Sequence, residues 1–307
     1  MINTEEKINK RVFAVAGPKG GVGKSTISAN LALAFAEAGS KVTIADLDLG
    51  AANLHALLGI RDTGRTLDDF ILKKVKNLSE VLIKTEVPNL SLICGGSQVP
   101  NIANMPYQQK VKLMNHLIKL ESDILIIDLG AGSSYNVVDF SFIADTGLFV
   151  TTPEVTSLMN LYSFIKSSVF RRLTFHFKAE KAYDMLELLD KARDVEANPH
   201  LNSMEKILIE AEKVDPESVA GVKKLLSEFV PHIIVNRVQT KGDANVGNVL
   251  QGLLQNYLSI HSKTLANLPE DTAVKKSINK MRPVLLDNPS SEFSNAIRKL
   301  AEDLTIH

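Results

Sequence analysis

Hydrophobic residues along this chain gather in short solid runs with polar positions at both ends. Most runs are followed by a longer stretch with apolar residues at helical spacing. Residues 12–16 form the first run, and the Ala- and Leu-rich stretch 25–38 reads as a helix with Gly39 as its stop signal. Further runs lie at 42–45, 90–93, 124–127, 148–151, 233–235 and 263–266, and 108–120 carries a second helical pattern. Runs that are apolar throughout, instead of alternating, belong to strands buried on both faces. Strands alternating with helices build right-handed βαβ units. The expected fold is therefore α/β: a doubly wound, mostly parallel sheet with helices on both faces. Between about 175 and 231 the alternation stops. Met185, Leu186, Leu188 and Leu189, then Met204, Ile207 and Leu208, then Val219, Val222, Leu225, Leu226 and Phe229 imply three helices. We expect one domain over 1–307 with a helical insertion there, since no repeat or low-complexity linker divides the chain.

In a doubly wound sheet, ligands sit at the carboxyl ends of the strands. The chemistry-bearing residues fall there. The first run leads into Gly17-Pro18-Lys19-Gly20-Gly21-Val22-Gly23-Lys24-Ser25-Thr26. Pro18 occupies the first glycine position of the usual phosphate-loop pattern, so the strict motif fails. The remaining glycines still let backbone N–H groups approach an anion, and the following helix presents its N-terminus to it. In this reading Lys24 reaches the β- and γ-phosphates and Ser25 ligates Mg²⁺. The second run ends in Asp46 and Asp48, and the fourth in Asp128 followed by Gly130 and Gly132. Two acids after a strand can orient a Mg²⁺ shell and a hydrolytic water. They can equally cap the next helix. An acid closing an apolar strand suits Mg²⁺ held partly through water.

With an extra lysine, Lys19, ahead of the paired glycines, the loop resembles the deviant Walker A loop of the MinD/ParA ATPases. The resemblance implies ATP-Mg²⁺ binding, slow partner-stimulated hydrolysis and an ATP-dependent homodimer. It implies that Lys19 crosses to the partner's phosphates, although a lysine here could equally serve its own nucleotide. By the same resemblance Asp48 is the water-activating acid and Asp46 the strand-end acid. Asp46 and Asp128 hold the metal together with Ser25, and Gly130 and Gly132 belong to switch II. Asn236 and Arg237, near the end of one strand, bind the nucleotide, with Asn236 at the adenine edge, and Pro269 and Glu270 lie in the loop that meets the base. The expected catalytic set is Lys19, Lys24 and Asp48. Leu49-Gly50, Asn53-Leu54, 92–97 and 152–157 lean toward the branch holding MinD and the flagellar-number regulator FlhG (FleN). Asn160 stands where an acid is usual.

Composition narrows the alternatives. The chain has 35 basic and 35 acidic residues and is 45% hydrophobic, so net charge demands neither nucleic acid nor an anionic membrane. A DNA-binding partition ATPase is the alternative function, without support from net charge. Cys94 is the one cysteine, and an iron–sulfur carrier needs two or more per subunit. One cysteine, a polar N-terminus and no apolar run near ~20 residues make the expected setting the cytosol, with any membrane contact peripheral. Phe293, Ile297, Leu300 and Leu304 form a helical stripe expected to dock on the sheet. Lys275, Lys276, Lys280 and Arg282 read as a solvated basic face. The output expected is regulation or positioning through an unidentified partner protein.

Overall fold

A computed structural model describes residues 10–48, 52–96 and 105–306. The polar N-terminal stretch, Leu49, Gly50 and Ser97 lie outside the described residues. Eight strands form one sheet: β1 (Arg11–Gly17), β2 (Val42–Leu47), β3 (Leu82–Lys84), β4 (Leu90–Ile93), β5 (Ile124–Ala131), β6 (Thr146–Thr151), β7 (His232–Val238) and β8 (Lys263–Pro269). Their order is β3-β4-β2-β5-β1-β6-β7-β8. All pairs are parallel except β3 with β4. The seven runs read from the sequence all lie within strands. The extra strand, β3, has only three residues on the sheet edge, two half-buried and Lys84 exposed, too few to show a period.

The helices are α1 (Lys24–Glu37), α2 (Leu54–Leu57), α3 (Leu67–Ile71), α4 (Tyr107–Ile118), α5 (Tyr135–Ile143), α6 (Val155–Glu180) and α7 (Tyr183–Arg193). After them come α8 (Met204–Val214), α9 (Pro216–Glu228), α10 (Lys241–Ala244), α11 (Val246–Leu258), α12 (Thr272–Asn279), α13 (Val284–Asp287) and α14 (Glu292–Ile306). Successive side chains of a strand point to opposite faces. In β1, Val12, Ala14 and Ala16 join a core with α4 to α9 and α11. Phe13 and Val15 join a second core with α1, α13 and α14. Both faces are dry, which is why the strand runs are continuously apolar.

The three helices expected between 175 and 231 are α7, α8 and α9, but the region opens inside α6, a 26-residue helix that began at Val155. Its left-handed C-cap, Lys181 (φ 58°), ends it. Met185, Leu189, Met204, Ile207, Val219, Val222 and Leu226 then close a cluster against Leu173 and Phe177. The stripe on α14 is buried, and the helix packs on α1 and β8 as expected.

Candidate nucleotide site

β1, β2 and β5 are neighbours, so the loop after β1 and the acids ending β2 and β5 converge by register. Asp46 stands opposite Asp128 across the β2–β5 pair, and Val15 stands opposite Asp128 on the other side. The loop turns into α1 at Gly23, whose φ of 97° is left-handed. A Cβ there would sit 2.3 Å from Asn236 Nδ2, so conformation and space both require glycine. The first turn of α1 carries no acidic residue and no side-chain cap, which leaves its N–H groups for an anion.

Lys24 is 7% exposed, and its Nζ donates to Lys19 O at 3.4 Å. Burial lowers its pKa, and the nearby carboxylates of Asp128 and Asp48 push the other way. Asp128 is buried and accepts from Ser28 Oγ at 2.8 Å and from the Ser25 hydroxyl. Burial pushes its pKa up to about 7. The Asp46 charge adds to the rise, and the two serine hydroxyls and Lys24 oppose it. Ser28 was not singled out from sequence, although it lies one turn after Ser25 on the same helix face. That spacing is the signal that could have found it.

Asp46 has both oxygens occupied. Oδ1 accepts from Asp48 N at 3.1 Å, and Oδ2 accepts from Asn53 N at 2.9 Å and Leu54 N at 3.1 Å. It folds the segment leading into α2, the capping role acids after a strand can take. Burial raises its pKa, those amides oppose the rise, and the Asp48 charge adds to it. Asp48 is half-buried, and a Cβ on Gly130 would lie 2.7 Å from its Oδ1, so only glycine leaves room for that carboxylate. Gly132 N donates to Pro18 O at 3.0 Å, which joins the segment after β5 directly to the phosphate loop.

Lys19 is exposed at the mouth. Its charge helps hold the Glu154 carboxyl below its ordinary value, behind the Thr152 hydroxyl that hydrogen bonds to it and together with Arg237. Asn236, Arg237, Pro269 and Glu270 meet Gly23 and Thr26 around a cleft of about 310 Å³. That size is in the range of small-ligand pockets. Arg237 Nε lies 3.8 Å from Glu270 Oε2. A larger cavity of about 820 Å³ is lined by Lys41, Asn89, Leu90, His116 and Lys119 at the opposite end of the strands. Volume alone would have pointed away from the convergent polar groups.

The donor set fits Mg²⁺: a hydroxyl and a carboxylate, both hard oxygens, beside a buried acid whose ionised form a dication would stabilise. Among the described residues no group of three or more His, Cys, Asp and Glu forms a complete metal cage.

Sheet, loop and acids define a phosphate-loop nucleotide-binding domain. Residues 13–284 match the model of the CobQ/CobB/MinD/ParA nucleotide binding domain, and the chain belongs to that family. The septum site-determining protein MinD of Helicobacter pylori is 37% identical over 151 residues, 48% of this chain and 54% of that protein. The antiactivator FleN of Pseudomonas aeruginosa is 35% identical over 158 residues, 51% of this chain and 55% of FleN. The flagellum site-determining protein YlxH of Helicobacter pylori is 32% identical over 169 residues, 53% of this chain and 55% of YlxH. The chain thus spans about half the length of the curated relatives it matches. The structure of MinD complexed with Mg-ADP from Pyrococcus horikoshii covers 96% of each chain with a TM-score of 0.65 at 22% identity. A chain of the MinC:MinD cell division protein complex of Aquifex aeolicus matches over 97% of this chain and 96% of its own length with a TM-score of 0.58 at 19% identity. At these identities the two structures establish the fold.

Proposed function

We propose that this protein is an ATP-driven switch of the MinD and FleN kind. It binds ATP with Mg²⁺, dimerises in that state, hydrolyses slowly, and regulates or positions a cellular structure through a protein partner. One observation carries the reading: Lys24, Ser25, Asp48 and Asp128 converge on the uncapped N-terminus of α1. Backbone amides of Gly20, Gly21, Val22 and Gly23 wrap the phosphates, and those of Lys24, Ser25 and Thr26 present the positive end of the helix. Lys24 supplies the charge along the phosphates. Ser25 and Asp128 would hold Mg²⁺, which would supply positive charge to the phosphates. Asp46 acts one step behind, fixing the backbone that carries Asp48, and Asp48 positions the attacking water. Gly130 and Gly132 carry the segment that responds to the γ-phosphate. Asn236, Arg237, Pro269 and Glu270 frame the base cleft. Lys19, exposed at the mouth, is free to reach a second copy's phosphates, where it would stabilise developing charge as an arginine finger does.

The names of the relatives support a site-determining or antiactivating output, and the MinC:MinD complex is a precedent for a protein partner. DNA is the weaker alternative: Lys280, from the basic cluster, is paired with Asp287 at 2.8 Å. The iron–sulfur alternative finds no ligand in Cys94, which is buried with its thiol pushed up to about 11 by burial and the charges of Asp46 and Asp68. No described helix is long and apolar enough to cross a membrane. This reading places the protein in the cytosol with at most a peripheral membrane contact. Titration calorimetry with ATP and ADP in magnesium buffer tests the reading. Heat with micromolar affinity is expected, and no heat with either nucleotide sinks it.

A further inference from the structure

Near its end β7 carries two residues, Asn236 and Arg237, whose side chains turn back to the phosphate loop. Asn236 Nδ2 donates to Val22 O at 2.8 Å, and Arg237 Nη2 donates to Gly21 O at 2.9 Å. These are consecutive loop carbonyls. A trans peptide is planar, with its C=O and the next N–H pointing in opposite directions. Pinning the carbonyls of Gly21 and Val22 toward β7 therefore turns the N–H groups of Val22 and Gly23 the other way.

The local backbone is distorted to make this contact. Arg237 has φ 61°, left-handed for a residue with a Cβ. The β7–β8 register shifts between Val235 and Val238. Asn236 is 7% exposed, and its amide fills the space that a Gly23 side chain would need. Backbone in such sparsely populated conformations persists where the surroundings over-determine it, and it concentrates at functional sites. Arg237 also faces Glu270 at 3.8 Å, so the residue that grips the phosphate loop is tied to the loop framing the base cleft.

We infer that Asn236 and Arg237 are positioning residues that strap the phosphate loop into its anion-binding shape before any ligand arrives. The inference rests on the nucleotide reading above and adds a role to two residues that the resemblance places in the ATP site. The loop has three glycines and would otherwise sample many conformations. Two side-chain donors from β7, a strand paired on both sides, remove that freedom in advance.

A base-free probe separates this role from base contact. Mg²⁺ with inorganic tripolyphosphate is used to displace fluorescent ADP from the full chain and from Arg237→Ala, Arg237→Lys and Asn236→Ala. Both alanine variants are expected to weaken tripolyphosphate and ADP by a common factor of about tenfold, and Arg237→Lys to recover most of the loss. Amide exchange in ligand-free protein is expected to rise at residues 19–24 and to stay unchanged in the sheet. Weakened ADP with unchanged tripolyphosphate would assign these residues to the base and overturn the strap. So would unchanged loop exchange, or a fall in melting temperature with faster exchange throughout. If the unaltered protein binds neither ADP nor tripolyphosphate, the nucleotide reading fails, and loop exchange alone still decides the strap.

Discussion

Two buried aspartates sit on opposite faces of the structure's economy of charge. Asp128, at the end of β5, has two serine hydroxyls, a lysine and a neighbouring acid around it, and its pKa is pushed up to about 7. Asp139, in the middle of α5, has Lys110 Nζ at 2.7 Å and a two-pronged contact from Arg171. Lys110 also donates to Tyr135 O at 3.0 Å, and Arg171 lies over the Tyr135 ring at 3.9 Å. Asp139 is compensated by fixed partners within the fold, and Asp128 is left short of positive charge. A buried carboxylate with its cations in place holds three helices, α4, α5 and α6, in register. One with too little positive charge around it holds its proton more tightly, and a cation from solution would favour the ionised form. The contrast separates a structural ion cluster from a site poised for a ligand.

Removing the satisfied acid should do the most damage. Asp139→Ala leaves Lys110 as an uncompensated buried cation, for an expected loss of about 3–5 kcal/mol and a melting temperature lower by roughly 10 °C. A melting temperature within about 2 °C of the parent would mean the cluster is not the clamp described. Next, Lys24→Ala should weaken ATP by about a hundredfold or more with the melting temperature of the ligand-free protein nearly unchanged, as read by calorimetry and thermal denaturation.

The opposite sign is expected at Asp128. Its folded-state pKa of about 7 lies above the ordinary carboxylate value of 3.8, so the folded protein binds more protons between those limits. Stability from this group is present below the lower value and is lost as pH rises through the upper one. Without ligand, Asp128→Asn should flatten that decline and melt higher than the parent at pH 8, while losing stabilisation by Mg-ADP. A variant that melts lower than the parent at pH 8 without ligand would place Asp128 with Asp139.

A smaller stability effect is expected from Asp48→Ala, whose carboxylate is half-buried against Gly130. ATP affinity should stay within about threefold while turnover falls about a hundredfold, the usual worth of a positioned acid or base. Equal turnover would remove Asp48 from the mechanism. Last, Cys94, whose thiol burial pushes up to about 11, should react with a thiol reagent at pH 8 more slowly than in unfolded protein by about a hundredfold. Rapid labelling of native protein would show that the segment around Gly95 and Gly96 opens.

Much of this was legible in the chain. The inner strands announced themselves because they are buried on both faces, and the phosphate loop because glycine spacing after a strand has few other uses. Asp128 could be placed because it closes an apolar run. Asp139 could not: Lys110, Asp139 and Arg171 are spread over more than sixty positions on three helices, and each alone reads as an ordinary helical charge. β3 was missed because it is short and pairs only on one side. Asp46 and Asp48 looked alike in sequence. Folding gave Asp46 three amides and left Asp48 beside Gly130.

The order of apolar and polar residues by itself determined the strands, the helices after them and the place of the glycine loop, because those follow from burial and backbone freedom over a few neighbouring positions. Only the tertiary structure decided which charges found partners and that Asn236 and Arg237 reach back more than two hundred residues to the carbonyls of Val22 and Gly21. A hydrogen bond or an ion pair is a property of two groups and the space between them, and that space exists only after the sheet has brought its strands together.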